Sequence, residues 1–215
     1  MLTVLKTKPS DELFSVDDAK LYLRIDQDLD DDLIKQMIAS VSRKIESLID
    51  RKLLTQTWEI YWDQFPMTAR NMWWDGTKDM SVSELVSHKR TLDLPFGPMQ
   101  TTNFKLETFD NSDVAYLMPS TDYVLDNAGP YGRLGLRLGG VWPTTVLRPI
   151  NGIKVTATFG YGGPDQIPED IILAAKIWMG AMYEHRGDEV DTKCPNLALS
   201  ILEPYKMFKV KNRGQ

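Results

Sequence analysis

The hydrophobic period of this chain changes twice along its length, and that change limits the fold more than any other feature of the sequence. Between Val16 and Leu48 apolar side chains return every three or four positions: Val16, Ala19, Tyr22 and Leu23, then Ile34, Ile38, Val41, Ile45 and Leu48. That spacing lays each set along one stripe of a helix. From Thr55 the period becomes two, so that Trp58, Ile60 and Trp62 share one face of a strand. At Pro168 the helical period returns. A pattern with one period cannot bury its apolar set in the other kind of element. The chain therefore reads as a helical region, a β region and a second helical region.

Local chemistry marks the ends of these elements. A hydroxyl at Ser15 can accept from the free N–H groups of a helix's first turn, and Asp17 and Asp18 suit the positive end of its dipole. The run Asp30-Asp31-Asp32 opens a longer helix, which Arg51 and Lys52 are expected to close at the negative end. Candidate strands are 91–94, 103–109, 123–125, 133–138 and 153–159, with turns predicted at Asp110-Asn111-Ser112 and from Asp126 to Gly129. Their spacing suits a small antiparallel sheet or barrel. Residues 67–90 read as an exposed loop despite Trp73 and Trp74.

Pro168, Glu169 and Asp170 start the next helix, since proline in the first turn loses no internal hydrogen bond. Ile171, Ala175, Trp178 and Met182 form one stripe there, but Ile172, Leu173, Ile177 and Ala181 cover most of the remainder. A helix apolar nearly all round is buried on several sides. Part of the cover is expected from a neighbouring subunit, with Ile171, Ile172, Trp178 and Met182 as the candidate interface. A last helix, from Pro195 to Leu202, passes at Pro204 into a basic tail.

The expected fold class is α+β. Residues 1–54 and 166–205, from both ends of the chain, would form one helical core domain. Residues 55–165 would be an antiparallel β domain inserted into it, of roughly the size of a small domain, and residues 206–215 a basic C-terminal tail.

Composition narrows the class of function. A hydrophobic share of 42% and a charged share of 26% are those of an ordinary globular protein. No apolar run approaches the ~18 residues that span a bilayer, and MLTVLKTKPSDEL lacks the apolar core of a signal peptide, so no membrane partner is expected. A single cysteine, Cys194, excludes an internal disulfide framework and suits folding in a reducing cytoplasm. The net charge of −5 argues against a surface that neutralises phosphates. Charge is unevenly placed: residues 11–32 are acid-rich, with Lys20 and Arg24 as the bases, whereas Lys206, Lys209, Lys211 and Arg213 follow Glu203 with no acid among them.

Motifs for chemistry are scarce. An EF-hand begun at Asp26 would need glycine sixth and glutamate twelfth, where the chain has Asp31 and Met37. His88 and His185 have no metal-ligand spacing around them, and no G-x-S-x-G motif occurs. Cys194, at a helix start, could be a stabilised thiolate, but no partner base is identifiable, and a packing or capping role fits better. Gly160, Gly162 and Gly163 lie between a strand and a helix without the spacing or the lysine of a phosphate loop; a turn at the domain junction fits better. Trp58, Trp62, Trp142 and Trp178 fall in patterned segments and read as core. Trp73 and Trp74 could equally be packed or form an exposed contact, and only Arg70 and Lys78 stand near to support stacking on nucleic acid. No cofactor, metal site or catalytic residue is expected.

Several blocks resemble a known family, the head–tail connector (adaptor or head-completion) proteins of tailed bacteriophages. VDDAKLYLRIDQDLDDDLIKQMIASVSRKIESLIDRKLLTQTWEIYWDQFP, residues 16–66, is similar to that family's opening helix pair and first strand. LDLPFGPMQ at 92–100 follows, then Tyr123 and the Gly132–Leu136 run ending at Trp142-Pro143. NGIKVTATFGYGGPDQIPEDIILAAKIWMGAMYEHRG, 151–187, is similar to the family's strand, glycine turn and proline-started helix with its Tyr183-Glu184-x-Arg186 ending. The resemblance leaves 67–90 and the tail unmatched. It implies a non-enzymatic homo-oligomeric ring, a dodecamer if it follows the portal's usual symmetry, at the head–tail junction of a virion assembled in the host cytoplasm. The implied partners are the portal, a tail-completion or stopper protein, and packaged DNA passing through without sequence-specific contact.

Physical reasoning adds three expectations to that picture. Asp26, Asp28, Asp30, Asp31 and Asp32 are candidates to line the channel, where like charge keeps DNA from sticking. The basic tail is a candidate portal-docking segment. A head-to-tail interface that closes gives the ring. Three alternatives stay open: another virion ring such as a tail-completion protein, a host-surface binding module using the β domain, and an enzyme working through His185 and Glu184.

Overall fold

A computed structural model describes residues 1–65, 91–138, 140–143, 146–185 and 194–207. Its first helix, α1 (Val16–Leu23), starts as the sequence predicts: Ser15 is extended and its hydroxyl accepts from Asp18 N–H at 3.0 Å. A left-handed Arg24 ends it. Helix α2 (Asp31–Ile49) buries Ile34, Met37, Ile38, Val41, Ile45 and Ile49, three or four residues apart. It stops at a left-handed Asp50, so the basic pair expected to close it lies outside the helix. Arg51 instead donates to the carbonyl of Tyr205 at 2.7 Å, and Lys52 folds back onto Glu46.

Helix α3 (Glu169–Glu184) follows Pro168, which occupies the capping position one residue ahead of the helix. Helix α4 (Asn196–Leu202) runs into a short 3-10 turn, Glu203–Tyr205. One continuous core unites Leu13 to Leu54 with Ile167 to Leu202, centred on α2 and α3.

The strands are β1 (Leu2–Thr7), β2 (Gln56–Trp62), β3 (Thr91–Asp93), β4 (Met99–Phe109), β5 (Ala115–Leu117), β6 (Tyr123–Asp126), β7 (Arg133–Leu136) and β8 (Ile153–Phe159). They form a five-stranded sheet in the order β1-β2-β8-β4-β5 and a three-stranded sheet in the order β3-β7-β6, with every strand pair antiparallel. Strand β8 is central: Val155 faces Ile60 of β2 on one side and Leu106 of β4 on the other. Val155, Ala157 and Phe159 are fully buried, and Thr156 and Thr158 on the opposite face are also buried. Ile60 is buried, with Trp58 and Trp62 packed partly against the same second core. Strands β1 and β5 were not anticipated. Strand β1 lies in the stretch assigned to the helical domain, yet it pairs with β2 in the sheet.

The two cores meet where the chain crosses between them, after α2 and after β8. Tyr161 N–H donates to Leu53 O at 2.9 Å and Thr55 N–H to Gly162 O at 3.0 Å, so the two crossings run side by side. Gly160 has φ +123° there, and a Cβ on it would lie 2.3 Å from the Leu54 carbonyl oxygen. Glu46 reaches over from α2. Its carboxylate accepts from Leu53 N–H at 3.0 Å and the Gln56 amide at 2.8 Å, and pairs with Lys52 at 3.2 Å. The Lys52 ammonium also sits over the rings of Trp58 and Phe96, at 4.6 and 4.7 Å. Close passage of two backbones thus accounts for Gly160, and a left-handed backbone at φ +139° accounts for Gly162.

Candidate assembly surfaces

The acidic turn joins α1 to α2. Lys20, from the last turn of α1, reaches Asp28 and also Asp31 at 3.0 Å. Its hydrogen bond holds the Asp28 carboxyl below the usual aspartate range, and the same contacts, that to Asp28 first, raise the Lys20 ammonium. Asp30 accepts from the hydroxyl of Tyr183, near the end of α3. Of the five aspartates expected to act together, Asp30 and Asp31 are therefore half-buried and engaged, while Asp26, Asp28 and Asp32 are exposed. Asp28 and Asp31 thus share Lys20, while Asp30 turns to Tyr183. Among the described residues no group of three or more acidic, histidine or cysteine side chains could hold a metal ion.

Of the four residues expected at a subunit interface, two are already covered by the chain's own fold. Ile171 and Trp178 lie in the helical core, 0% and 6% exposed. The reason is that α2, α4 and, through Tyr22 beside Gly180, α1 all pack against α3. Ile172 and Met182 keep part of their surface. Leu173 on α3 and Leu197 on α4 are exposed. Leu173 belonged to the apolar set of that helix; nothing in the text of α4 singled out Leu197.

An open groove of about 1090 Å³ runs between residues 10–15 and the start of α3. Asp11, Glu12 and Asp18 line one wall and Asp165, Glu169 and Asp170 the other. The Ser15 hydroxyl, bonded to its side chain, holds the Asp18 carboxyl low. Tyr205 donates to Asp170 at 2.9 Å. Just beyond, Met207 N–H donates to Ile49 O and so pins the end of the described chain to α2. Lys206 is exposed. Lys209, Lys211 and Arg213 lie outside the described residues, as do Arg70, Trp73, Trp74, Lys78, His88 and Arg186.

The outer face of the five-stranded sheet carries a row of charge. Lys6 of β1 pairs with Glu59 of β2 at 3.0 Å, Lys154 of β8 stands 3.8 Å from Glu59, and Lys154 meets Glu107 of β4 at 2.8 Å. Burial pushes the Glu59 carboxyl up, but hydrogen bonds from Lys6 and Tyr61 and the charge of Lys154 together bring it below its ordinary value. The hydrogen bond to Glu107 raises Lys154. Apolar side chains bound the row: Leu2 and Val4 are exposed at the β1 edge, Val114, Tyr116 and Leu117 at the β5 edge.

Cys194 is half-buried just before α4, and burial pushes its thiol up, away from the thiolate a nucleophile needs. No described helix is long and apolar enough to cross a membrane.

Residues 14–73 match the family of phage gp6-like head-tail connector proteins. The resemblance to head–tail connectors carried by residues 16–66 is thus met over nearly the same span. Among solved structures, a chain from the neck of an empty GTA particle computed with C6 symmetry shares 17% identity, with a TM-score of 0.74 over 99% of this chain and 98% of that one. A chain from the virion of a native gene transfer agent particle gives 16% and 0.72, and one from the neck of a native GTA particle computed with C12 symmetry gives 16% and 0.69, both over 99% and 98% of the two chains. At such identities the likeness is one of fold. No curated protein matches.

Proposed function

We propose that this chain is a structural, non-catalytic component of the neck of a phage-type particle, forming a ring between portal and tail. The observation that carries the proposal is the likeness of fold, over 99% of this chain and 98% of the other, to a chain from a particle neck. The connector-family match at 14–73 supports it independently. A ring of twelve is favoured by the similar chain from a neck computed with C12 symmetry.

In this reading residues 1–54 and 166–205 are the ring-forming unit, with the β domain of 55–165 inserted into it. The shared core of Leu13–Leu54 and Ile167–Leu202 supports that division, although β1 belongs by its pairing to the sheet. Ile172 and Met182 have surface left for a neighbouring subunit. The ring extends the DNA channel below the portal and offers a docking face to a tail-completion or stopper protein, at the head–tail junction of a virion assembled in the host cytoplasm.

Exposed Asp26, Asp28 and Asp32, with Asp30 and Asp31 behind them, would line the lumen, where repulsion between carboxylate and phosphate lets DNA slide. The tail from Lys206 to Arg213 would dock on the portal. Negative-stain microscopy of the purified chain, alone and with portal, tests the reading; the expected result is a ring with a central hole. A chain that stays monomeric in both samples overturns it. A cryo-EM map with the aspartates on the outer wall would sink the channel assignment, and normal portal binding after deletion of 206–215 would count against the tail.

A further inference from the structure

The five-stranded sheet ends in two different strands, β1 on one side and β5 on the other, and neither has a second partner among the described strands. An open strand edge presents unpaired N–H and C=O groups and readily templates another chain. Proteins commonly guard such edges with charge and keep them free of apolar surface. Here Lys6 stands on β1, yet both edges also expose apolar side chains: Leu2 and Val4 are 53% and 44% exposed on β1, Tyr116 and Leu117 47% and 62% on β5.

The edges also differ in sign. The β1 segment carries Lys6 and Lys8 and no acid, whereas the turn leading into β5 carries Asp110, held by Ser112 and Val114 N–H and the Tyr116 hydroxyl, and Asp113, paired with Arg148 at 3.0 Å. Between them the outer face alternates in charge: Lys6, Glu59, Lys154, Glu107. The row begins positive at β1 and ends negative beside β5, since Glu107 is the register partner of Leu117. A second copy, added with its β1 edge against this β5 edge, would repeat the alternation and cover the apolar rims of both.

We propose that β1 of one subunit docks along β5 of the next, so that the sheet is continued from subunit to subunit around the assembly. Two unlike edges on opposite sides of one sheet, about 19 Å apart at the usual strand spacing, make a head-to-tail contact. Such contacts close into rings or run on as filaments. The inference rests on the ring reading above and adds the surface through which neighbours meet.

Paired cysteines test it. In a Cys194→Ser background, Val4→Cys and Leu117→Cys are introduced together and each alone, in the full chain incubated with portal, and treated with a short bis-maleimide. The double variant is expected to give a ladder of covalent oligomers on a denaturing gel, and each single variant only monomer. Rings seen by microscopy without a ladder overturn the edge contact and leave the ring reading intact. Cross-linking of Val4→Cys alone overturns it too, because it means like edges meet. Absence of both rings and ladder removes the ring reading and the edge contact with it. Lys8→Glu, at an exposed lysine outside the Glu59 ion pair, supplies a second measurement without cysteines: the ring fraction should fall at low salt and recover at high salt as the new repulsion is screened. A ring fraction unchanged at every salt concentration counts against the contact.

Discussion

Glu46, at the junction of the two cores, and Asp28, in the turn between α1 and α2, are both carboxylates paired with a lysine. The Glu46 side chain is 11% exposed and that of Lys52 15%. Besides the lysine, Glu46 accepts from a backbone N–H and a side-chain amide of the segment entering the sheet. Asp28 is 88% exposed and meets only the tip of Lys20 among the described contacts. Removing the first leaves buried donors without an acceptor, a loss that water cannot repair. Removing the second exchanges one well-hydrated arrangement for another. The same residue chemistry therefore holds two segments of the fold together in one region and stays at the surface in the other.

The contrast can be pushed at both ends. The largest loss is expected at the junction from Gly160→Ala, where a left-handed backbone and a carbonyl 2.3 Å from the new Cβ act together; about 3 kcal/mol or more should disappear from urea unfolding. Glu46→Ala comes next, at about 2–4 kcal/mol for the stranded donors. Glu46→Gln, which keeps an acceptor, should recover most of that; equal losses for the two would mean that the charge rather than the hydrogen bonds holds the junction. Ser15→Ala removes the cap of α1 and should cost about 1 kcal/mol.

The smallest effect is Asp28→Asn, which should leave the unfolding midpoint at neutral pH where it was while altering any interaction with DNA. A clear drop in midpoint would move Asp28 into the structural class. The acid side of the pH profile supplies a related check. Asp18, Asp126 and Glu59 are held below their ordinary values of 3.8 for aspartate and 4.5 for glutamate. A lowered carboxyl adds stability above its unfolded value, and that contribution is lost as pH falls through the folded one. The thermal midpoint should decline progressively below about pH 4.5; a flat acid limb would contradict these pairings.

Much of this was written locally. Ser15 and Pro168 mark helix starts because capping depends on the next three or four residues, and 153–159 reads as a strand because β-branched residues crowd it. Strand β5, three residues long and wholly exposed, has no pattern to read. Strand β1 has some alternation, but its partner lies more than fifty residues away, and pairing across such a distance leaves no mark inside a short window. Arg51 was misread for the same reason, since its acceptor, Tyr205, comes from the far end of the chain.

The acidic turn was legible as a cluster of charge, and the apolar helix α3 as a buried one. Sequence alone determined these, along with the succession of helix, sheet and helix, because period, caps and charge runs are properties of neighbouring residues. Only the tertiary structure decided which apolar residues the chain covers for itself, placing Ile171 and Trp178 in its own core. It also decided that Glu46 holds the two cores together, and that the sheet ends in two unlike edges with apolar rims. Each of those depends on which distant segments pack side by side, and burial is a property of that packing rather than of any stretch of text.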